Sequence, residues 1–218
     1  MTTAYGIGTY FFDFVPMESK SRIVAYGVSF GTDENELDEK DVDVLTDLYK
    51  RFNDVSVREY SALEMLDQYG WIAPKARFVL DPAFLLDKEC YCRLIDSSAT
   101  KALEGKLFCY ILDKNYQKEQ WISRFASDHS LMPFYISVSD DQPSVEQWLR
   151  SFRDAEYIVT DSYHGLVYST LFNKPFFLFN NESRGNARFD SLISALYDGT
   201  DIDNPDWKVV NGNIDYYK

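Results

Sequence analysis

A strand-like apolar run followed by an amphipathic helical stretch recurs from one end of this chain to the other, and that alternation limits its fold more than any other feature. Arg22 to Phe30 is rich in β-branched and aromatic residues, stops at Gly31, and predicts a buried strand. The acidic run Asp33 to Asp43 leads into Val44 to Phe52, where Val44, Leu45, Leu48 and Phe52 share one face at helical spacing. Asp54 to Val57 predicts a second strand. Glu59 to Tyr69 follows as a helix with Leu63 and Leu66 inward, and Phe78 to Leu80 as a third strand broken by Pro82. The order β-α-β-α-β is that of a parallel sheet with helices on its faces.

After a connecting region from Leu86 to Gly105 the alternation restarts. Strands are expected at Leu107 to Leu112, Phe134 to Val138, Tyr157 to Thr160 and Pro175 to Phe179. Helices are expected at Gln117 to Ser127, from about Ser144, at His164 to Phe172 and at Phe189 to Leu196. Ser144 with Gln147 three residues on is a capping-box signature. The break near residue 87 divides a partial N-terminal Rossmann-like lobe, 1–86, from a C-terminal Rossmann-like lobe, 87–218. The first supplies about three strands where doubly wound sheets commonly have five or six, so it reads as a lobe truncated ahead of Met1.

Composition removes several kinds of partner. Against 22 basic residues stand 35 acidic ones, a net charge of −13, and no Lys/Arg run offers a polyanion its counterions' replacement, so nucleic acid is not expected. Two or three placed arginines and a helix start can still hold a small anion. Met1 to Thr9 lacks the basic and apolar regions of a signal peptide, and no apolar stretch approaches the roughly 20 residues of a membrane helix. Cys90, Cys92 and Cys109 have neither disulfide-framework nor zinc spacing, so no metal site is indicated and the reducing cytoplasm fits best.

The chemistry is expected between the strand Glu156 to Thr160 and the apolar helix Leu166 to Phe172, where Asp161-Ser162-Tyr163-His164-Gly165 intervenes. Ligands of open α/β sheets bind beyond the carboxyl ends of strands, and the unpaired amides of the helix that starts there attract anions. Asp161 or Ser162 can cap the helix, and Gly165 lets a ligand or another backbone come close. His164 either handles a proton near a bound anion or is a helix-start histidine bonded to a carbonyl. His129, in a polar stretch, reads as a surface residue. Arg58, just past the strand 54–57, suits bidentate anion binding or a salt bridge with Glu59 or a helix carboxylate. Arg184 and Arg188 flank a loop after Phe179, where a solvated charge is the plainer account of each and a ligand contact the alternative.

Thr160-Asp161-Ser162-Tyr163-His164-Gly165, followed by Phe172-Asn173-Lys174-Pro175-Phe176, resembles the signature segment of the polysaccharide pyruvyl transferases. Val55-Ser56-Val57-Arg58-Glu59 and Val79-Leu80-Asp81-Pro82-Ala83-Phe84-Leu85-Leu86 resemble two further segments of that family in the same order. Tyr10 to Phe14, Ile23 to Phe30 and Arg188 to Leu192 do so as well. The resemblance implies two Rossmann-like lobes arranged as in GT-B glycosyltransferases, and transfer of a pyruvyl group from phosphoenolpyruvate to sugar hydroxyls as a ketal. It implies no cofactor beyond that donor substrate, and a saccharide or lipid-linked oligosaccharide as acceptor. By the same resemblance His164, with Asp161, serves the proton transfers, and Arg58 holds the donor's carboxylate or phosphate. Ser162, Tyr163, Gly165, Arg184 and Arg188 are expected around the substrate. Ser162 stands where some members carry an arginine, so a donor contact must come from elsewhere, and the family's amino-terminal Gly-Asn-x-Gly-Asp-like segment has no counterpart here. A nucleotide-sugar-dependent glycosyltransferase and an inactive binding lobe are the alternatives the same fold leaves open.

Overall fold

The computed structural model describes residues 6–32, 34–35, 37–101, 104–136, 143–179, 186–197 and 207–210. It is α/β, its sheets are entirely parallel, and the chain divides into two compact units, Met1–Pro82 with Ser183–Asp198 and Ala83–Glu182 with Gly199–Lys218.

In the first unit a 3-10 helix, Ile7–Phe11, precedes β1 (Val24–Val28), α1 (Glu39–Tyr49), β2 (Asp54–Val57), α2 (Tyr60–Gln68) and β3 (Arg77–Phe78), with sheet order β1-β2-β3. Helix α1 begins five residues before the expected Val44, because Asp38 caps it by accepting from the Asp41 amide at 2.8 Å. Val44 faces solvent, while Leu45, Tyr49 and Phe52 pack with Val55, Val57, Leu66 and Trp71 into one core. Arg51 ties the amino-terminal segment to this core by donating to the carbonyls of Val15 (2.7 Å) and Pro16 (3.2 Å). Strand β3 ends at Phe78, short of the expected Leu80, although the Val79 amide still reaches the Val57 carbonyl at 2.9 Å.

The second unit holds α3 (Lys88–Asp96), β4 (Leu107–Tyr110), α4 (Tyr116–Asp128), β5 (Pro133–Tyr135), α5 (Val145–Asp154), β6 (Tyr157–Thr160), α6 (Tyr163–Leu171) and β7 (Phe176–Phe179). The chain then forms α7 (Ala187–Tyr197), which belongs with the first unit, and β8 (Trp207–Val210). Strand order is β5-β4-β6-β7-β8. The connecting region thus contains a helix, α3, anchored by buried Tyr91 and Ile95, and β8 was not anticipated. Ser144 caps α5 by accepting from the Gln147 amide, as the capping-box signature requires. Leu107, Cys109, Ile122, Phe125, Val159 and Phe179 form the core between β4, β6, β7 and α4. Residues 137 and 138 of the expected strand Phe134 to Val138 lie outside the described residues.

Candidate functional site

Counted within the second unit, its strands run 2-1-3-4-5, so the order reverses between β4 and β6. The crevice beyond the carboxyl ends of those two strands is where doubly wound sheets take their ligands. Here the two strands are laced together. Thr160, the last residue of β6, donates its hydroxyl to the Tyr110 carbonyl at 2.8 Å and accepts from the Ser162 amide at 3.1 Å. Asp161, wholly buried, accepts from the amides of Leu112 (2.6 Å) and Asp113 (3.0 Å) and from Lys118 Nζ (2.6 Å). Lys118, itself buried, also donates to the Asp113 carbonyl at 2.9 Å.

Asp161 therefore acts as a strut from β6 to the exit of β4 and the first turn of α4. It was expected to share in the proton transfers; here it is buried, with Leu112, Asp113 and Lys118 among its donors. Lys118 was not singled out from the sequence. One signal was available: a cation in a helix's first turn opposes the helix dipole and calls for a nearby acid.

Helix α6 starts at the crevice. Ser162 is its N-cap residue and is buried, and its own side chain makes no capping hydrogen bond. Tyr163 is buried and sets its ring edge-on to His164, with centroids 5.6 Å apart. His164 is the exposed residue of this first turn, between buried Tyr163 and buried Gly165. Gly165 was expected to let a ligand or another backbone come close, and the close approach seen here is that of Thr160. A Cβ there would run into Thr160, overlapping its hydroxyl and lying 2.8 Å from its Cβ and 2.9 Å from its Cγ2. Glycine lets α6 sit directly on the end of β6.

In the first unit Arg58 follows β2. Its amide donates to the Val28 carbonyl at 3.1 Å, and its guanidinium pairs with Asp81 at 3.0 Å, just past β3. Asp81 is thus one partner of Arg58, where a salt bridge with Glu59 or a helix carboxylate was the expected alternative to anion binding. Asp81 is 5% exposed and Arg58 19% at their side chains, so this is a partly desolvated pair that fixes the guanidinium's direction. Glu59, wholly buried, accepts through Oε1 from the amides of Phe30 (2.8 Å) and Gly31 (3.4 Å). Helix α7 packs on α2, and its buried Ser191 accepts from the Tyr60 amide at 2.9 Å, satisfying the first turn that Glu59 leaves uncapped.

Arg188 lies one turn before Ser191 on that helix, so Arg58 and Arg188 belong to the same unit although 130 positions separate Arg58 from Arg188 in sequence. Arg184 lies outside the described residues. His129 is exposed at the end of α4, as expected, stacked on Phe125. Among the described residues no group of three or more His, Cys, Asp or Glu could hold a metal ion, and no helix is long and apolar enough to cross a membrane.

Parallel sheets flanked by helices, with a helix starting at a strand-order reversal, define a Rossmann-like α/β protein. Residues 3–183 match the family model described as polysaccharide pyruvyl transferase, and the chain belongs to that family of transferases. Comparison with curated proteins and with solved structures gives no match.

Proposed function

We propose that the protein transfers the pyruvyl group of phosphoenolpyruvate to two hydroxyls of one sugar residue, building a ketal into an exopolysaccharide or other cell-surface glycan. The observation that carries this reading is family membership over residues 3–183 joined to an exposed His164 in the first turn of the helix that starts at the β4/β6 reversal. The chemistry balances without an oxidant or reductant. A proton is added at C3 of the enol as one sugar oxygen bonds to C2, and that oxygen gives up its own proton. The second hydroxyl then bonds to C2 and loses its proton while the C2–O bond to phosphate breaks, releasing inorganic phosphate.

His164 is the group assigned to the moving proton. Arg58 and Arg188, with Arg184, are assigned to the donor's carboxylate and phosphate, and Ser162 and Tyr163 to the substrate at the helix start. Asp161 and Gly165 shape that start. The acceptor is a saccharide, free or lipid-linked, and three free cysteines suit a reducing cytoplasm.

His164→Ala tests the assignment. Turnover should fall by about 10²–10⁴-fold, the usual worth of a positioned proton-transfer group, while phosphoenolpyruvate affinity stays within a few-fold. A variant that keeps most of its turnover would make His164 a structural residue.

A further inference from the structure

The two units share a device. In each, an acid just past one strand accepts from two successive amides in the exit of the neighbouring strand: Asp161 from Leu112 and Asp113, Glu59 from Phe30 and Gly31. Each strut prolongs strand pairing beyond the last ladder bond, at the carboxyl edge where ligands bind. The struts differ in one respect. Asp161 has its second oxygen on Lys118, whereas Glu59 Oε2 is buried with no hydrogen-bond partner among the described residues. Among the described residues, Glu59 thus accepts through Oε1 alone.

We propose that Glu59 is a positioning residue for the donor site, acting through Arg58. This rests on the reading that Arg58 binds phosphoenolpyruvate. Among what holds Arg58 are its amide on Val28, its guanidinium on Asp81, and thirdly the next residue's carboxylate on Phe30 and Gly31. Removing the third frees the exit of β1 and the turn between β2 and α2 together. Gly31, at a φ of 80°, is in the left-handed region, so that exit follows a backbone path its own local preferences do not dictate, and the strut holds it there.

Glutamine keeps an accepting Oε1 for both amides and replaces only the oxygen that holds nothing, so Glu59→Gln should behave as wild type. Glu59→Ala removes the strut. Both variants and the wild type are compared in the full chain by phosphoenolpyruvate-dependent turnover, direct donor binding, and hydrogen exchange at the Phe30 and Gly31 amides.

The expected result for Glu59→Ala is faster exchange at both amides, a donor KM and Kd raised about tenfold or more, and kcat within a few-fold. Glu59→Gln should stay within about twofold on every readout. If the glutamine variant is as impaired as the alanine variant, Glu59 works through its charge and the proposal is overturned. It is equally overturned if the alanine variant loses kcat with KM unchanged, or keeps native exchange at Phe30 and Gly31. If the wild type neither binds nor turns over phosphoenolpyruvate, the pyruvyl-transfer reading fails, and with it the role in donor binding. The exchange data then report separately whether the strut itself exists.

Discussion

Gly165→Ala places a methyl group where the end of β6 already stands. The new Cβ would overlap the Thr160 hydroxyl and lie 2.8 Å and 2.9 Å from its two carbons, all well inside ordinary contact. Thr160 is wholly buried and belongs to the central strand, so the strain cannot be relieved at the surface. Overpacking of this kind costs about 1–3 kcal/mol. If Thr160 turns away, its bonds to the Tyr110 carbonyl and the Ser162 amide go with it, each worth about 1 kcal/mol. The sum is about 3–5 kcal/mol. With a urea slope of about 2 kcal/mol/M, the unfolding midpoint should fall by about 1.5–2.5 M, followed by circular dichroism. Thr160→Ala in the same chain removes the hydroxyl and Cγ2, so the double variant should be more stable than the two single effects added, by about 1 kcal/mol. An unchanged midpoint with weakened donor affinity would refute this reasoning and return Gly165 to ligand approach.

Three other outcomes are expected. Lys118→Met leaves Asp161 buried without its cation and should cost about 3–5 kcal/mol in the same denaturation assay; a change under about 1 kcal/mol would show that the pair does not hold the β4 exit. Arg58→Lys can keep the pair with Asp81 but cannot offer a planar fork, so phosphoenolpyruvate binding by calorimetry should weaken by about 1.5–3 kcal/mol, and unchanged affinity would leave Arg58 a purely structural partner of Asp81. Burial pushes the Cys109 thiol up to about 12, so its reactive thiolate is scarce at pH 8. Iodoacetamide there should label half-buried Cys90 and Cys92 and spare Cys109 until the chain unfolds, as read by peptide mass mapping, and equal labelling of all three would contradict its burial.

Much of the second unit was legible because its strands are continuous apolar runs, as buried parallel strands must be, and because Ser144 announces α5 with its own side chain. Helix α3 was not, since charged residues and cysteines dilute its apolar stripe to Tyr91 and Ile95. Val44 was placed on the wrong face because the buried stripe runs Leu45, Tyr49 and Phe52, and Val44 lies about 100° round the helix from Leu45. The segment Asp161 to Gly165 could be found from its place between a strand and a helix. The division of labour within it could not. That Asp161 faces Lys118, and Gly165 faces Thr160, depends on contacts across 43 and 5 residues that no local pattern encodes. The link from Ser191 to Tyr60, which seats Arg188's helix in the first unit, spans 131 residues and is equally invisible in sequence.

Pyruvyl transfer itself is tested most directly by incubating the protein with phosphoenolpyruvate and a panel of acceptor saccharides, following phosphate release and the sugar product together. The account predicts phosphate release that requires both substrates, one phosphate per sugar modified, and a product carrying a pyruvate ketal with its methyl group derived from the donor's methylene. Transfer from a nucleotide-sugar with none from phosphoenolpyruvate, or phosphate release without a ketal, would contradict it.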